Sequence, residues 1–446
     1  MSQPEAPHPT GTVDATMEGL STDGRAVVRV DGIVFFVAGA LPGDRAQLEL
    51  YPHTHPPSAQ VVRLQEPSPH RVPHPCPEAA ACCGSVWGVL AYPEQLKHKR
   101  DLVLRTLRKA VGEIEVLPVI ASPSQWHYRN RLSLSVWIEN DRVRIGFQTE
   151  PRSPTGTPVH TCLLAHESLL PCLRALAGLT DEMRTENAPR LPRRIQIHDT
   201  RRGAGILLIF AGELEESDRP DWRARLKNIP IPGGPWLASG TRAGIADLRK
   251  PVLRMPGALP MLSTWLENEV EVHPAEFCQA NGGAADLVLA RLRRLGESRH
   301  FAHVWDLYGG YGALGLAAAG TRPLTVLEQT SLCRETLHAL AARAGNTHTE
   351  FAGGDLLRTV KEAASRMTSD DLVILDPPRS GAHREVVTAL AESDAKRISY
   401  LSCNPARLGR DLALLFAAGF RAEEIQPYDF FPQTPRIEVL CVLERP

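Results

Sequence analysis

Reactive groups sit in usable places at three points of this chain. Cys403 lies in RISYLSCNPARLGRDL, just past an apolar run and followed by Asn404 and Pro405 rather than by more strand. A cysteine there is either an inert core residue or a nucleophile, and its place at an edge where such sheets bind ligands weighs toward the second. Near the C-terminus, DFFPQTPRIEVLCVLERP sets Glu438 inside an apolar final strand. An unpaired carboxylate in that setting is costly, so Glu438 is either paired or catalytic. In VWDLYGGYGALGLAAA, a strand ending at Asp306 and Leu307 runs into Gly309, Gly310 and Gly312 and then into an Ala/Leu-rich helix. Glycines in that position let the backbone approach a nucleotide, although a plain tight turn reads the same way.

The acidic residues that follow decide between these. Glu328 ends the next strand in LTVLE, where a carboxylate can take both ribose hydroxyls. Asp355, in GGD after a third strand, suits an adenine edge, and Asp376 ends a fourth strand in DLVILDPPR. Three successive acidic strand ends after a glycine loop mark a nucleotide site. NAD fits that outline, but an Asp-Pro-Pro turn is foreign to dehydrogenases, so S-adenosylmethionine is the expected cofactor.

The elements that must hold these residues follow from length and pattern. With 446 residues the chain is expected to form about three domains. Apolar residues at 43% and charged residues at 23% exclude a disordered or fibrous chain. No apolar run approaches the ~20 residues of a membrane span, and MSQPEAPHPT lacks the regions of a signal peptide, so the cytoplasm is expected. Lys plus Arg total 50 against 51 Asp plus Glu, so a nucleic acid would have to be met by a local patch. Only seven of the 50 cations are Lys; the Arg excess suits phosphate and base contacts, but a composition bias explains it equally well. Nine cysteines argue for metal ligands, a reactive thiol or core residues rather than disulfides.

After a Pro-rich tail, the runs RAVVRV, IVFFVAG and RAQLEL between turn residues predict a small antiparallel barrel over 11–67. Glu66 to Pro77 reads as a linker, and 93–111 as an amphipathic helix with a basic face that is either solvated or in contact with phosphate. RLSLSVWI, RIGFQ, RRIQIHD and GILLIFAG make 125–265 an α+β region. In the last 170 residues strands alternate with helices, which predicts βαβ units in a doubly wound sheet. The expected class is α/β: a Rossmann-like domain over 271–446, a central α+β domain over 68–270, of which about 93–122 packs on the last domain, and the barrel over 1–67.

DLYGGYG, LDPPRSG, LSCNPARLGRDL, FPQTPRIEV and FCQAN (Phe277 to Asn281) closely resemble the TrmA/RumA family of S-adenosylmethionine-dependent RNA uracil-5-methyltransferases. The barrel looks like that family's TRAM domain. The resemblance implies that Cys403 adds to carbon 6 of uracil and that Glu438 removes the carbon 5 proton after methyl transfer. It implies that Asp376 orients the base or the cofactor's amine, and that Gln279, Tyr308, Glu328 and Asp355 bind the cofactor. The target base must leave its stack, which is cheapest in RNA loops. The barrel, the basic helix and Tyr128-Arg129-Asn130-Arg131 are the candidate RNA surfaces. Ribosomal RNA is the expected partner by analogy, with transfer RNA as the alternative; a noncatalytic RNA-binding or folding factor is a third reading, opposed by Cys403 and Glu438. A monomer is expected.

Larger members of the family carry a 4Fe-4S cluster on Cys-x5-Cys-Gly-Gly-Cys plus a distant cysteine. Here Cys76, Cys82, Cys83 and Gly84 lead to Ser85 where the third ligand belongs, and Cys162 matches the distant one. Cys83 substitutes only if the chain turns tightly, so an intact cluster and a lost or oxygen-ligated one weigh equally. Gly309 stands where the family often has Cys, and Arg436 where it has His; Arg436 is expected either to pair with Glu438 or to meet phosphate. Cys172, Cys333 and Cys441 are expected in the core.

Overall fold

In a computed structural model of the chain, residues 9–80, 82–148 and 156–446 are described. The Pro-rich tail up to His8 and the side chain of Cys83 lie outside the described residues. The chain divides into two compact units, Met1–Leu102 with Phe431–Arg436, and Val103–Phe430 with Ile437–Pro446.

The first unit is built on a six-stranded sheet, in the order Thr12–Thr16, Arg45–Tyr51, Ser58–Glu66, Ile33–Val37, Ala26–Val30, Gly19–Leu20. Asp31 and Gly32 both take positive φ between paired Val30 and Ile33, the two-residue hairpin that an Asp-Gly pair favours. Met17, Val28, Phe35, Val37 and Leu48, from both ends of the sheet, meet Trp87 and Leu90 in one core, so the sheet wraps around it. Strand Ser58–Glu66 is exposed from Gln60 onward, which removes the alternation by which a strand is read from sequence.

The expected basic helix spans Tyr92–Val111. Its Lys99 does not belong to a solvated face, because it is 0% exposed and its Nζ donates to the Phe431 carbonyl at 3.0 Å. Gln95 and Gln433 exchange hydrogen bonds, fixing the returning segment Phe431–Arg436 within this unit.

The second unit holds two seven-stranded sheets. One spans the α+β region, with Arg131–Glu139, Arg194–Thr200 and Gly203–Ala211 at its centre and Leu132, Leu134, Ile195, Ile197, Ile206 and Leu208 in its core. A hairpin, Met261–Trp265 with Asn268–Val272, follows it. The other sheet runs Thr349–Gly353, Leu324–Glu328, Val304–Leu307, Leu372–Leu375, Arg397–Ser402, Glu438–Glu444, Arg421–Tyr428. The first five strands are parallel and Glu438–Glu444 is antiparallel to both of its neighbours. Val304–Leu307 and Leu372–Leu375 are buried at every position, as parallel strands covered by helices on both faces must be. Val103, Leu107 and Val116 join the core of this sheet. Among the described residues no helix is long and apolar enough to cross a membrane.

Candidate active site

The strand order reverses between Val304–Leu307 and Leu372–Leu375, and an open parallel sheet leaves a crevice beyond the strand ends at such a point. Leu307 pairs with Leu375, so Tyr308 and Asp376 leave the sheet side by side. On the next strand Ser402 pairs with Val439, and one residue further the same register brings Cys403 alongside Glu438. Cys403 ends the strand because Asn404 turns the chain: its Oδ1 accepts from the amides of Ala406 and Arg407 and caps helix Pro405–Ala417.

A cavity opens at this edge, lined by Gln279, Tyr308, Gly309, Gly310 and Asp376 among others. Gln279 Nε2 donates to Asp376 Oδ2 at 3.3 Å. Gln279 is held in turn from the α+β sheet: Asn130 Nδ2 donates to its carbonyl at 3.0 Å, and Arg131 donates to the Glu276 carbonyl at 3.2 Å. The expected RNA surface at Tyr128–Arg131 therefore acts in part as a clamp on the Phe277–Asn281 segment, and Tyr128 itself is buried. Asn281 caps helix Gly282–Ser298 and donates to Ser122 Oγ and the Phe430 carbonyl. Phe277 beside it is 65% exposed and lines the cavity.

Carboxyl groups crowd the crevice. Burial pushes Asp376 up to about 7, against the lowering bond from Gln279. Asp306, beneath the glycine loop, is also pushed up to about 7, by burial against the Gly315 amide bond, with Asp376 and Glu328 adding repulsion. Glu438 is raised well above the usual carboxylate range, by burial and then by Asp376, with Arg379 opposing. Burial and the Glu438 charge raise the Cys403 thiol to about 11, while Arg379 pulls it back. Asp376 thus raises Asp306, Glu438 and Cys403, and Glu438 raises Cys403 in turn.

The glycine loop packs tightly on its strand. A Cβ on Gly309 would come 2.7 Å from Asp306 Cγ, and Gly312 takes φ +74. Gly310, Gly312 and Gly315 keep the spacing of a dinucleotide loop, so the choice of S-adenosylmethionine over NAD rests on the Asp376-Pro377-Pro378 turn and not on the loop. The residues suit a cationic cofactor: Asp306 Oδ1 is buried without a hydrogen-bond partner, and the carboxyls nearby would be stabilised by positive charge.

Glu328 stands at its strand end, where it braces the loop: Oε2 accepts from Gly310 at 3.2 Å and Oε1 from Gln329 at 2.7 Å. Asp355 is exposed at the same edge and caps helix Leu356–Ala364. Neither lines the cavity, nor do Cys403 and Glu438. Arg379, which sequence reasoning passed over, joins the site through its charge; its signal was its place three residues after Asp376. Arg436 is exposed and Glu438 buried, and the guanidinium that favours the ionised form of Glu438 is that of Arg379.

The side chain of Cys83, the expected substitute ligand, lies outside the described residues. Cys82 Sγ accepts from the Gly84 amide at 3.3 Å, and Ser85 Oγ lies 3.3 Å from His74 Nε2. Cys76 is half-buried in the same unit, whereas Cys162 lies in the core of the α+β sheet. Among the described residues no three Cys, His, Asp or Glu side chains gather as a metal-binding group, and a cluster takes four thiolates. Cys172, Cys333 and Cys441 are buried as expected.

Residues 359–446 match the model of the tRNA (Uracil-5-)-methyltransferase family. Over 97% of its length the chain is 28% identical to an uncharacterized RNA methyltransferase of Nitratidesulfovibrio vulgaris, 96% of which is covered. A similar protein of Gloeobacter violaceus is 29% identical over 97% of this chain and 96% of its own. Among solved structures, the Pyrococcus abyssi tRNA (uracil-54, C5)-methyltransferase in complex with S-adenosyl-L-homocysteine has a TM-score of 0.72, covering 97% of this chain and 100% of that one at 21% identity. That last likeness is one of fold.

Proposed function

We propose that this RNA uracil-5-methyltransferase carries the methyl group of S-adenosylmethionine to carbon 5 of a uridine through a covalent adduct between Cys403 and carbon 6. One observation carries the reading: Cys403, Glu438 and Asp376 stand on neighbouring strand ends at one edge of the sheet, where Asp376 also lines the cavity and where Asp376 raises Glu438 and both carboxyls raise Cys403. Carbon 5 of uracil is too weak a nucleophile to take a methyl group unaided. Addition of the Cys403 sulfur to carbon 6 moves the 5,6 electron pair toward oxygen 4 and leaves an enolate with a nucleophilic carbon 5. S-adenosylmethionine supplies the electrophilic methyl on a sulfonium. Tyr308, Gly309, Gly310, Gln279 and Asp376 would hold it in the cavity they line, and Glu328 and Asp355, at neighbouring strand ends outside that lining, would reach toward its ribose and adenine. Glu438 then takes the carbon 5 proton, the double bond re-forms, and the sulfur leaves as thiolate. A carboxylate whose pKa is raised by burial is the stronger base for that step.

Phe277 offers an exposed ring at the cavity mouth, on which an unstacked base can lie. For the target RNA, the cysteine segment's resemblance to larger family members supports ribosomal RNA of the large subunit. The names of the matched family and of the Pyrococcus enzyme support transfer RNA as the second reading. The N-terminal sheet does not separate them, since the Pyrococcus enzyme covers 97% of this chain. Either substrate places the enzyme in the cytoplasm. Mapping 5-methyluridine in both RNA classes from a strain lacking the gene decides. Loss of one ribosomal 5-methyluridine with transfer RNA unchanged is expected; loss in transfer RNA alone transfers the assignment, and loss in neither overturns the reaction.

A further inference from the structure

We propose that Asp411 is a positioning residue of this site: with Tyr400 and Arg410 it fixes the loop from Asp376 to His383, and through it the places of Asp376 and Arg379 relative to Cys403. The inference rests on the reading of that edge as the methyl-transfer site. Arg410 and Asp411 belong to the LSCNPARLGRDL motif, whose function was otherwise used up by Cys403 and the Asn404 cap.

The loop has no regular secondary structure of its own, so its shape depends on what holds it. Asp411 lies beneath it on helix Pro405–Ala417 and is 0% exposed. Its Oδ2 accepts from the Tyr400 hydroxyl at 2.7 Å and from the Ala382 amide of the loop at 3.3 Å. Its Oδ1 accepts from Arg410 Nε at 2.7 Å, and the same guanidinium donates to the Ala382 carbonyl at 2.7 Å. Both backbone groups of Ala382 are thus taken by this trio. The approach is close: Gly381 takes φ +83, and a Cβ there would come 2.9 Å from both Arg407 Cβ and the Arg410 guanidinium.

The two ends of the loop are tied to the reacting groups. Asn404 Nδ2, next to Cys403, donates to the Arg379 carbonyl at 2.9 Å. The His383 amide donates to the Tyr308 hydroxyl at 3.0 Å, and Tyr308 lines the cofactor cavity. Asp411→Asn leaves one acceptor oxygen where Asp411 has two, so either Arg410 or the Tyr400 hydroxyl and Ala382 amide would lose their acceptor, which costs more than the bond itself. The loop is the softest of its partners and would yield first. Arg379 would then be released from the charge balance at Cys403.

The test uses the full-length protein loaded with S-adenosylhomocysteine, in the variants Asp411→Asn, Tyr400→Phe and Arg410→Lys. Amide hydrogen exchange over 379–383 should quicken about tenfold or more in Asp411→Asn, and less in Tyr400→Phe. The pH midpoint of Cys403 alkylation by iodoacetamide, followed by mass spectrometry, should move up by about half a pH unit as Arg379 drifts away. With RNA, kcat should fall while the KM for S-adenosylmethionine stays within about twofold, and Arg410→Lys should retain most of the rate. Folded Asp411→Asn with parental exchange and a parental alkylation profile overturns the proposal, as does a loss of stability that leaves the Cys403 profile in place. If Asp411→Asn fails to fold, Tyr400→Phe carries the same two measurements. Neither exchange nor alkylation needs RNA, so they decide this point even if the parent methylates no RNA and the functional reading fails.

Discussion

At Cys403 two demands oppose each other. In the proposed reaction the thiol must sit where carbon 6 can reach it, yet burial and the Glu438 carboxyl raise it to about 11. Roughly one thiol in ten thousand would be ionised at neutral pH. Attack therefore needs the donor's positive charge, the Arg379 guanidinium, or proton removal as the bond forms. Cys403→Ala should lower single-turnover methylation at least a thousandfold and leave the Kd for S-adenosylhomocysteine within a few-fold, because the sulfur adds to the base and does not hold the cofactor. Retained turnover would rule out the adduct. Glu438→Gln should allow addition and methylation but not release, so a protein–RNA species stable to denaturing electrophoresis should accumulate with substrate RNA. Normal product release from that variant would place the base elsewhere. Both residues were legible in the sequence, as a strand-end thiol and as a carboxylate in an apolar strand. Arg379 was not, because an exposed arginine in a turn looks like any other until its neighbours in space are known.

At the scale of the element, the glycine loop shows what a backbone must give up to bring a cofactor close. Gly312 is held at φ +74 with Leu337 Cδ1 only 2.4 Å from where a Cβ would go. Left-handed backbone costs a residue with a Cβ about 1–2 kcal/mol, before any shift of Leu337. Gly312→Ala should lower the thermal midpoint by several degrees and weaken S-adenosylhomocysteine more than tenfold by calorimetry; parental affinity would show that the loop does not shape the cavity. The loop, its strand and the three acidic strand ends could be read from spacing. Their division of labour could not: Glu328 braces the loop and Asp355 caps a helix, tasks that depend on which amides the fold presents to them. Strand Arg421–Tyr428 also went unread, since RAEEIQPY shows no clean alternation of apolar residues.

For the molecule as a whole, the crevice is a cost to folding that a cation relieves. Asp306 keeps its proton up to about pH 7 in the folded chain, whereas an unfolded carboxyl releases it near 4. Between those values the native state binds more protons, so this group's contribution falls as pH rises, by about 1.4 kcal/mol for each pH unit. His198 tilts the parent's curve the other way: its buried ring is pushed down to about 3, so stability is lost as pH drops below about 6.5. The difference between variant and parent therefore isolates the carboxyl. Asp306→Asn, which mimics the protonated acid, should match the parent near pH 4 and exceed it in unfolding free energy by an increasing margin up to about pH 7, while losing affinity for the sulfonium cofactor. Equal stability at pH 8 would mean that Asp306 does not carry that proton.

The α/β class, the doubly wound sheet, and the places of Cys403, Glu438 and the acidic residues at its strand ends were legible in the sequence, because periodicity and the residue types at strand ends are local properties that a linear reading preserves. Tertiary structure alone decided which buried carboxyls repel one another, that Lys99 lies buried against a backbone carbonyl, and that Asn130 and Arg131 clamp the segment bearing Gln279. Those outcomes depend on residues hundreds of positions apart meeting in a water-poor space, where the energy of a charge is set by its neighbours and not by its own place in the chain.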